Sequence, residues 1–215
     1  MAIRNSVRVI GGAWRGRRVN FPDLDGLRPT PDRVRETLFN WLQKDVARSA
    51  CLDLFAGSGA LGLESLSRGA KEVVFVEKSP LAANSIREHL TLFGGAGGNG
   101  TVIETDVERY LNGLSAAAAA TAAAGKPASA TAAAARAAPP FDLVFLDPPF
   151  GQDWLPRILP KLPVGTLIKP GGLVYVECER TSGEPVLPAG WEMLRSKSAG
   201  EVGYHLARVH SQVAQ

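Results

Sequence analysis

From residue 50 onward, short apolar runs alternate with helical patterns, and the runs break at acids: ACLDLF, EVVFVEK, TVIETD, FDLVFLD and GGLVYVECE. Runs rich in Val, Leu and Phe, with no polar alternation, suit strands buried on both faces. Between them lie ALGLESLSRG, a helix that Ser79-Pro80 starts and that runs to about Phe93, the short VERYLNGL, and a proline-broken helical stretch from Trp154 to Pro163. Strands alternating with helices predict an α/β fold with a doubly wound, mainly parallel sheet. The end of the chain, WEMLRSKSAG then EVGYHLARV, predicts an antiparallel pair about Gly200. In such a sheet, ligands meet the carboxyl ends of the strands.

Ahead of this core, VRVIGG and AWRGRRVNF read as two short strands around Gly11-Gly12, a hairpin. Thr30-Pro31-Asp32 is a helix start, with Thr30 as cap and Pro31 at the first helical position. The helix RVRETLFNWLQKDV follows, with Val34, Leu38, Trp41 and Leu42 in one apolar stripe and Arg33 and Glu36 mostly off it. Residues 1–48 hold ten Lys/Arg and five Asp/Glu, whereas the whole chain nets only +3. Arg4, Arg8, Arg15, Arg17 and Arg18 fall within the first 18 residues with no acid among them. A basic arm of this kind fits a phosphate backbone, and equally a solvated charged face.

Residues 115–140 interrupt the alternation with sixteen alanines, broken by Gly125, Pro127 and Pro139-Pro140. The unbroken pieces are shorter than the ~12–15 residues an isolated helix needs, which predicts a surface insertion rather than a second domain. Cys51 and Cys178 are the only cysteines, and neither belongs to a metal-spaced pair. In a doubly wound order their strands flank the FDLVFL strand, about 10 Å apart, so both thiols should stay reduced. No metal site is expected. Without a secretory apolar segment or a bilayer-length run, the expected location is cytoplasmic.

Chemistry concentrates at the predicted strand tips. After ACLDLF, Gly57, Gly59 and Gly62 let the backbone turn tightly and approach a ligand. They match GxGxxG, and Glu77 lies 20 residues past Gly57, which is also the nicotinamide-dinucleotide pattern. Asp53, however, would put a negative charge against a pyrophosphate, and it suits a cation instead. Glu77 and Asp106 end the next two strands. S-adenosylmethionine fits this row, with its sulfonium and ammonium near Asp53, ribose on Glu77 and adenine amine on Asp106.

The fourth tip is Asp147-Pro148-Pro149-Phe150. The prolines end the sheet ladder and hold neighbouring carbonyls in set directions. An acid, rigid carbonyls and an aromatic face within four residues suit a planar amine such as that of a nucleobase.

DLFAGSGALGLESLSRGA with FVEKS and FLDPPF resembles the class I, Rossmann-like S-adenosylmethionine-dependent methyltransferases. More closely, VIGGAWRGRRV, LRPTPDRVRETLFNWL and AGEVGYHLAR resemble the bacterial RsmD family, which methylates N2 of a guanine in 16S rRNA. The resemblance spans nearly the whole chain except residues 115–140, where the family has a short connection. It implies a seven-stranded sheet and two parts. Residues 1–48 would be an RNA-binding hairpin and helix, and 49–215 the methyltransferase domain. Asp53, Phe55, Gly57 and Gly59 would line the methionine end of the cofactor, Glu77 the ribose and Asp106 the adenine, with Lys78 also among the cofactor-binding residues. Asp147, Pro148, Pro149 and Phe150 would be the catalytic tip, with Asp147 also beside the cofactor. Arg28, Thr30, Arg33, Arg35 and Glu36 would lie near the target nucleotide, and Arg4, Arg8, Arg15, Arg17 and Arg18 would hold RNA backbone. The implied partner is 16S rRNA, within a partly or fully assembled small ribosomal subunit. Three rivals stay open: adenine-N6 methylation of DNA or RNA, a nicotinamide-dependent dehydrogenase, and a non-catalytic RNA-binding module.

Overall fold

The runs ACLDLF, EVVFVEK, FDLVFLD and GGLVYVECE form strands covered on both faces, whereas TVIETD lies in a mostly exposed edge strand. The computed structural model describes residues 4–24, 27, 29–94, 99–114 and 140–210, with Arg4 described in its backbone only. β1 (Arg4–Arg8) and β2 (Arg18–Pro22) form a separate antiparallel pair, followed by helix α1 (Asp32–Trp41). The main sheet is built from β3 (Ala50–Asp53), β4 (Glu72–Glu77), β5 (Asn99–Glu104), β6 (Phe141–Leu146), β7 (Ile168–Glu179), β8 (Trp191–Ala199) and β9 (Val202–Val209). Its spatial order is β5-β4-β3-β6-β7-β9-β8, parallel from β5 to β7 and antiparallel at β9 and β8. The chain builds outward from β3 in one direction and from β6 in the other. A crevice therefore opens at the carboxyl ends of β3 and β6, where the order reverses.

Helices α2 (Ala60–Ser67) and α3 (Pro80–Phe93) cover one face of the sheet. Helical residues 107–114, the helix Trp154–Ile158 and the 3-10 turn Leu159–Lys161 cover the other. Alternation along the strands feeds two cores. Cys51, Leu143 and Phe145 face one, while Leu52, Val144 and Leu146 face the other. The expected insertion at 115–140 lies outside the described residues, apart from Pro140.

The N-terminal segment is built into the first of these cores. Trp14, Val19, Val34, Leu38, Phe39 and Leu42 are at most 3% exposed and pack with Leu61, Phe75 and Ile86. At roughly 1.5–3 kcal/mol for each large buried side chain, this burial is worth on the order of 10 kcal/mol. Its polar anchor is Glu64 of α2, wholly buried, whose carboxylate accepts the Ile10 and Gly11 N–H groups at 2.7 and 2.8 Å. The expected hairpin is present, and that anchor lengthens its connection beyond Gly11-Gly12. β1 stops at Arg8, and residues 9–17 form a loop docked on the end of α2, with Trp14 N–H on Ser67 Oγ at 2.9 Å. Gly12 has φ 76°, and a Cβ there would come within 1.8 Å of the Ser67 carbonyl oxygen, so no side chain fits.

Helix α1 also departs from its sequence pattern. Pro31, not Thr30, is the cap residue, and no side chain caps the helix, because the Thr30 hydroxyl is engaged elsewhere. The helix ends at Trp41, whose ring stacks on Tyr204 at 5.4 Å, short of the predicted Val46. Val34, Leu38 and Leu42 form the buried stripe as expected. Both cysteines are buried free thiols on β3 and β7, either side of β6. Among the described residues no helix is long and apolar enough to cross a membrane.

Candidate active site

Four acids stand at adjacent strand ends, and backbone N–H groups hold the first three. Asp53 closes β3, is 1% exposed, and accepts the Gly62 N–H of α2 at 3.2 Å. Burial, then the negative Asp147 nearby, pushes its carboxyl up to about 8. Glu77 closes β4 and takes the Gly57 and Ser79 N–H groups, one on each oxygen, both at 2.7 Å. Burial still raises its pKa, against the pull of those N–H groups and of the neighbouring Lys78, whose own side chain is exposed. Asp106 follows β5 by two residues and accepts Arg109 N–H at 2.8 Å, at the start of the helical segment 107–114. Thr105 Oγ1, next to it, is buried without a hydrogen-bond partner.

Between the first two tips, Gly57 and Gly59 take left-handed φ values of 51° and 76°, and Gly59 is the cap residue of α2. A Cβ on Gly59 would lie 2.9 Å from Ile86 Cγ1, so the tight turn needs glycine on two grounds. Gly62, the third glycine of the motif, serves packing instead. A Cβ there would sit 2.1 Å from the Phe75 ring. Phe55 is part-buried beyond β3 and meets Trp154 edge-on at 5.4 Å. A buried Asp53 carboxyl with no cationic side chain paired to it, a glycine turn and an unpaired hydroxyl fit a cationic, hydroxyl-bearing cofactor. They do not favour a pyrophosphate. No cluster suited to a metal ion occurs among the described residues.

The fourth tip follows β6. Asp147 is partly exposed, Pro148 is buried, and Phe150 is 42% exposed beside Gly151. A large aromatic left this open at a strand end is free to receive a flat ligand. Burial of the Asp147 carboxyl pushes it up to about 7, against a hydrogen bond from Thr30 that lowers it. Thr30 Oγ1 lies 3.1 Å from Asp147 Oδ2 and 2.8 Å from Glu177 Oε1, and Tyr175 donates its hydroxyl to the same Glu177 oxygen at 2.9 Å.

Glu177 was absent from the sequence-derived site. Leu146 pairs with Val176 across β6 and β7, so Asp147 and Glu177 are the next neighbours along that register. The available signal was an acid in the interior of the apolar run VYVECE, two residues after Tyr175 and hence on the same face of β7. Burial raises Glu177 well above the usual carboxylate range, and Asp147 and Asp53 add to the effect.

The expected RNA-facing residues divide into two groups. Arg8, Arg15, Arg17, Arg18, Arg33 and the acid Glu36 are exposed, while Arg28 and the Arg4 side chain lie outside the described residues. Arg17 is partly committed, donating to the Leu92 carbonyl at 3.3 Å with its guanidinium 5.1 Å over Phe93. Arg35 and Thr30 are 1% and 4% exposed, so both act from inside the fold, with Thr30 beside the Asp147 tip. The Arg35 guanidinium donates to the Thr30 and Arg8 carbonyls and pairs with Asp32, with Glu64 3.8 Å away. It is an internal strut that joins the arm, α1 and α2.

A family profile described as conserved hypothetical protein 95 matches residues 7–123 and 107–208 of the chain. Ribosomal RNA small subunit methyltransferase D of Escherichia coli K12 is 37% identical over 96% of this chain and 91% of its own length. The protein of that name from Haemophilus influenzae is 38% identical over 94% of each chain. The solved structure of the Escherichia coli protein yhhF is similar with a TM-score of 0.76 and 35% identity, covering 97% of this chain and all of that one.

Proposed function

The chain belongs to the RsmD family, and from that premise we propose that it methylates the exocyclic N2 amine of a guanine in 16S rRNA, using S-adenosylmethionine. The observation that carries this reading is the Asp147-Pro148-Pro149-Phe150 tip beside the buried Asp53, at the point where the sheet order reverses. When bound, the cofactor supplies a methyl group on a cationic sulfur. Asp53, Phe55, Gly57 and Gly59 would hold its methionine end, Glu77 its ribose and Asp106 its adenine, with Lys78 also among the cofactor-binding residues. Charge attraction to Asp53 offsets the cost of burying that carboxylate without a cationic partner.

The guanine N2 lone pair is delocalised into the ring and is a weak nucleophile. Asp147 and the Pro148 carbonyl would each accept one N–H from the amine, turning it toward the methyl group. Phe150 would stack on the base once it leaves its own stack. Rate enhancement then comes from alignment more than from strong base catalysis. The proton lost from N2 after transfer goes to the Asp147 carboxylate. Residues 1–48 serve as the RNA-binding extension of a methyltransferase domain over 49–215, with Arg8, Arg15, Arg18, Arg33 and Glu36 facing the RNA. The substrate is 16S rRNA presented in a partly or fully assembled small subunit, which places the enzyme in the cytoplasm.

Asp147→Ala tests the assignment. Methyl transfer in single-turnover assays should be abolished, with cofactor affinity, measured by calorimetry, within about threefold of the parent, because affinity rests on the other tips. Turnover near that of the parent would overturn the role of the tip.

A further inference from the structure

The contacts around Thr30 require one more proton than the ionised side chains supply. Three close oxygen pairs must each share a proton: Thr30 with Asp147 at 3.1 Å, Thr30 with Glu177 at 2.8 Å, and Tyr175 with Glu177 at 2.9 Å. The two hydroxyls provide two protons, and an ionised carboxylate only accepts. With both acids ionised, one carboxylate would face a bare hydroxyl oxygen inside the fold. The third proton must therefore sit on Asp147 or Glu177.

Position decides between them. Glu177 is 2% exposed, whereas Asp147 stands partly open at the strand tip. Charge is penalised more at the drier site. The charged and titratable groups around Glu177 offer no compensation. Asp53 on β3, Asp147 beyond β6 and Tyr175 on β7 are acidic or neutral, and Tyr204 is its register partner on β9. On the α1 side, the Arg35 guanidinium is engaged by the Thr30 and Arg8 carbonyls and by Asp32.

We propose that Glu177 is a positioning residue that stays protonated and donates to Thr30, so that Thr30 donates to Asp147 and keeps it ionised for the substrate amine. The proton order is then Tyr175 O–H to Glu177, Glu177 O–H to Thr30 Oγ1, and Thr30 O–H to Asp147 Oδ2. All three contacts are satisfied with the negative charge on Asp147 alone. Asp147 Oδ1, which accepts no hydrogen bond from a described residue, is left for the amine. When the methyl group joins N2 and leaves sulfur, the proton released by N2 passes to the Asp147 carboxylate, and Glu177 remains neutral throughout. This assignment deepens the proposed function and rests on it for the identity of the amine.

The test joins infrared spectroscopy of the ligand-free protein with kinetics. At pH 7 a protonated-carboxyl C=O band should shift on 13C-glutamate labelling and be lost in Glu177→Gln. Asp53 should contribute a separate 13C-aspartate-sensitive band that disappears in Asp53→Asn, and the absence of any 13C-glutamate-sensitive band would overturn the proposal. In turnover, Glu177→Leu and Thr30→Val should each lower kcat roughly tenfold to hundredfold through misalignment, with cofactor Kd within about twofold. Glu177→Gln, whose amide can donate to Thr30, and Thr30→Ser should recover most of that loss. A Glu177→Gln variant as impaired as Glu177→Leu would mean that the charge of Glu177 is needed, and would overturn the proposal. The infrared measurement involves no turnover, so it stands apart from any failure of Asp147→Ala to stop methyl transfer.

Discussion

Replacing Asp53 by asparagine should stabilise the ligand-free protein, flatten its pH dependence and weaken its hold on the cofactor. Asp53 is 1% exposed with its carboxyl raised from 3.8 to about 8, first by burial and then by Asp147. Between those values the folded chain holds a proton that the unfolded chain has released. Stability therefore falls as pH rises through this window, by about 1.4 kcal/mol per pH unit for one such proton. From pH 4 to pH 7 the loss attributable to Asp53 is on the order of 4 kcal/mol. Asparagine keeps an oxygen for the Gly62 N–H and removes the titration. Urea unfolding at pH 5, 6 and 7 should show the variant's stability falling less steeply than the parent's by about one proton's worth. The same substitution removes the counter-charge for a cation. A pair about 4 Å apart gains about 4 kcal/mol at an effective dielectric of 20, before desolvation is subtracted. A tenfold to hundredfold rise in the Kd for S-adenosylmethionine is the expected remainder. Parallel pH–stability curves for parent and variant would refute the reasoning, since they would mean that Asp53 is not an uncompensated buried acid.

The N-terminal segment carries two further predictions. Replacing Arg15, Arg17 and Arg18 together should weaken RNA binding and reduce the salt slope of log K by about 2 to 3, one for each lost phosphate contact. Because Arg17 is partly tied to Leu92 and Phe93, the lower end is the stronger expectation, and an unchanged slope would make the arm a solvated face. Glu64→Ala strands the Ile10 and Gly11 N–H groups and the buried Arg35, and should cost about 3–5 kcal/mol in urea unfolding. A loss below about 1 kcal/mol would show that Glu64 does not anchor the arm.

The sheet was legible because its evidence is local. ACLDLF, EVVFVEK and FDLVFL each carry enough contiguous apolar surface to demand two covered faces, and the glycines and prolines after them mark where each ladder stops. The acids at Asp53, Glu77, Asp106 and Asp147 stood out for the same reason, as charges at the ends of apolar runs. What escaped were polar side chains whose partners are remote in sequence. Thr30-Pro31-Asp32 has the composition of a helix cap, but the Thr30 hydroxyl finds Glu177 147 positions away. Arg35 and Glu64 look like surface residues of two helices, and only the packing of α1 and the arm against α2 buries them. Gly11-Gly12 looks like a hairpin turn until a buried carboxylate claims the N–H groups of Ile10 and Gly11. Local composition carries no trace of such long-range pairings.

The most direct test of the account is the identity of the methylated nucleoside. Small subunits from cells lacking this enzyme would be incubated with labelled S-adenosylmethionine and the purified protein, and the rRNA then digested and resolved by mass spectrometry. Label is expected in N2-methylguanosine at one site of 16S rRNA. Label in N6-methyladenosine, or no transfer from a protein that binds the cofactor, would contradict the account.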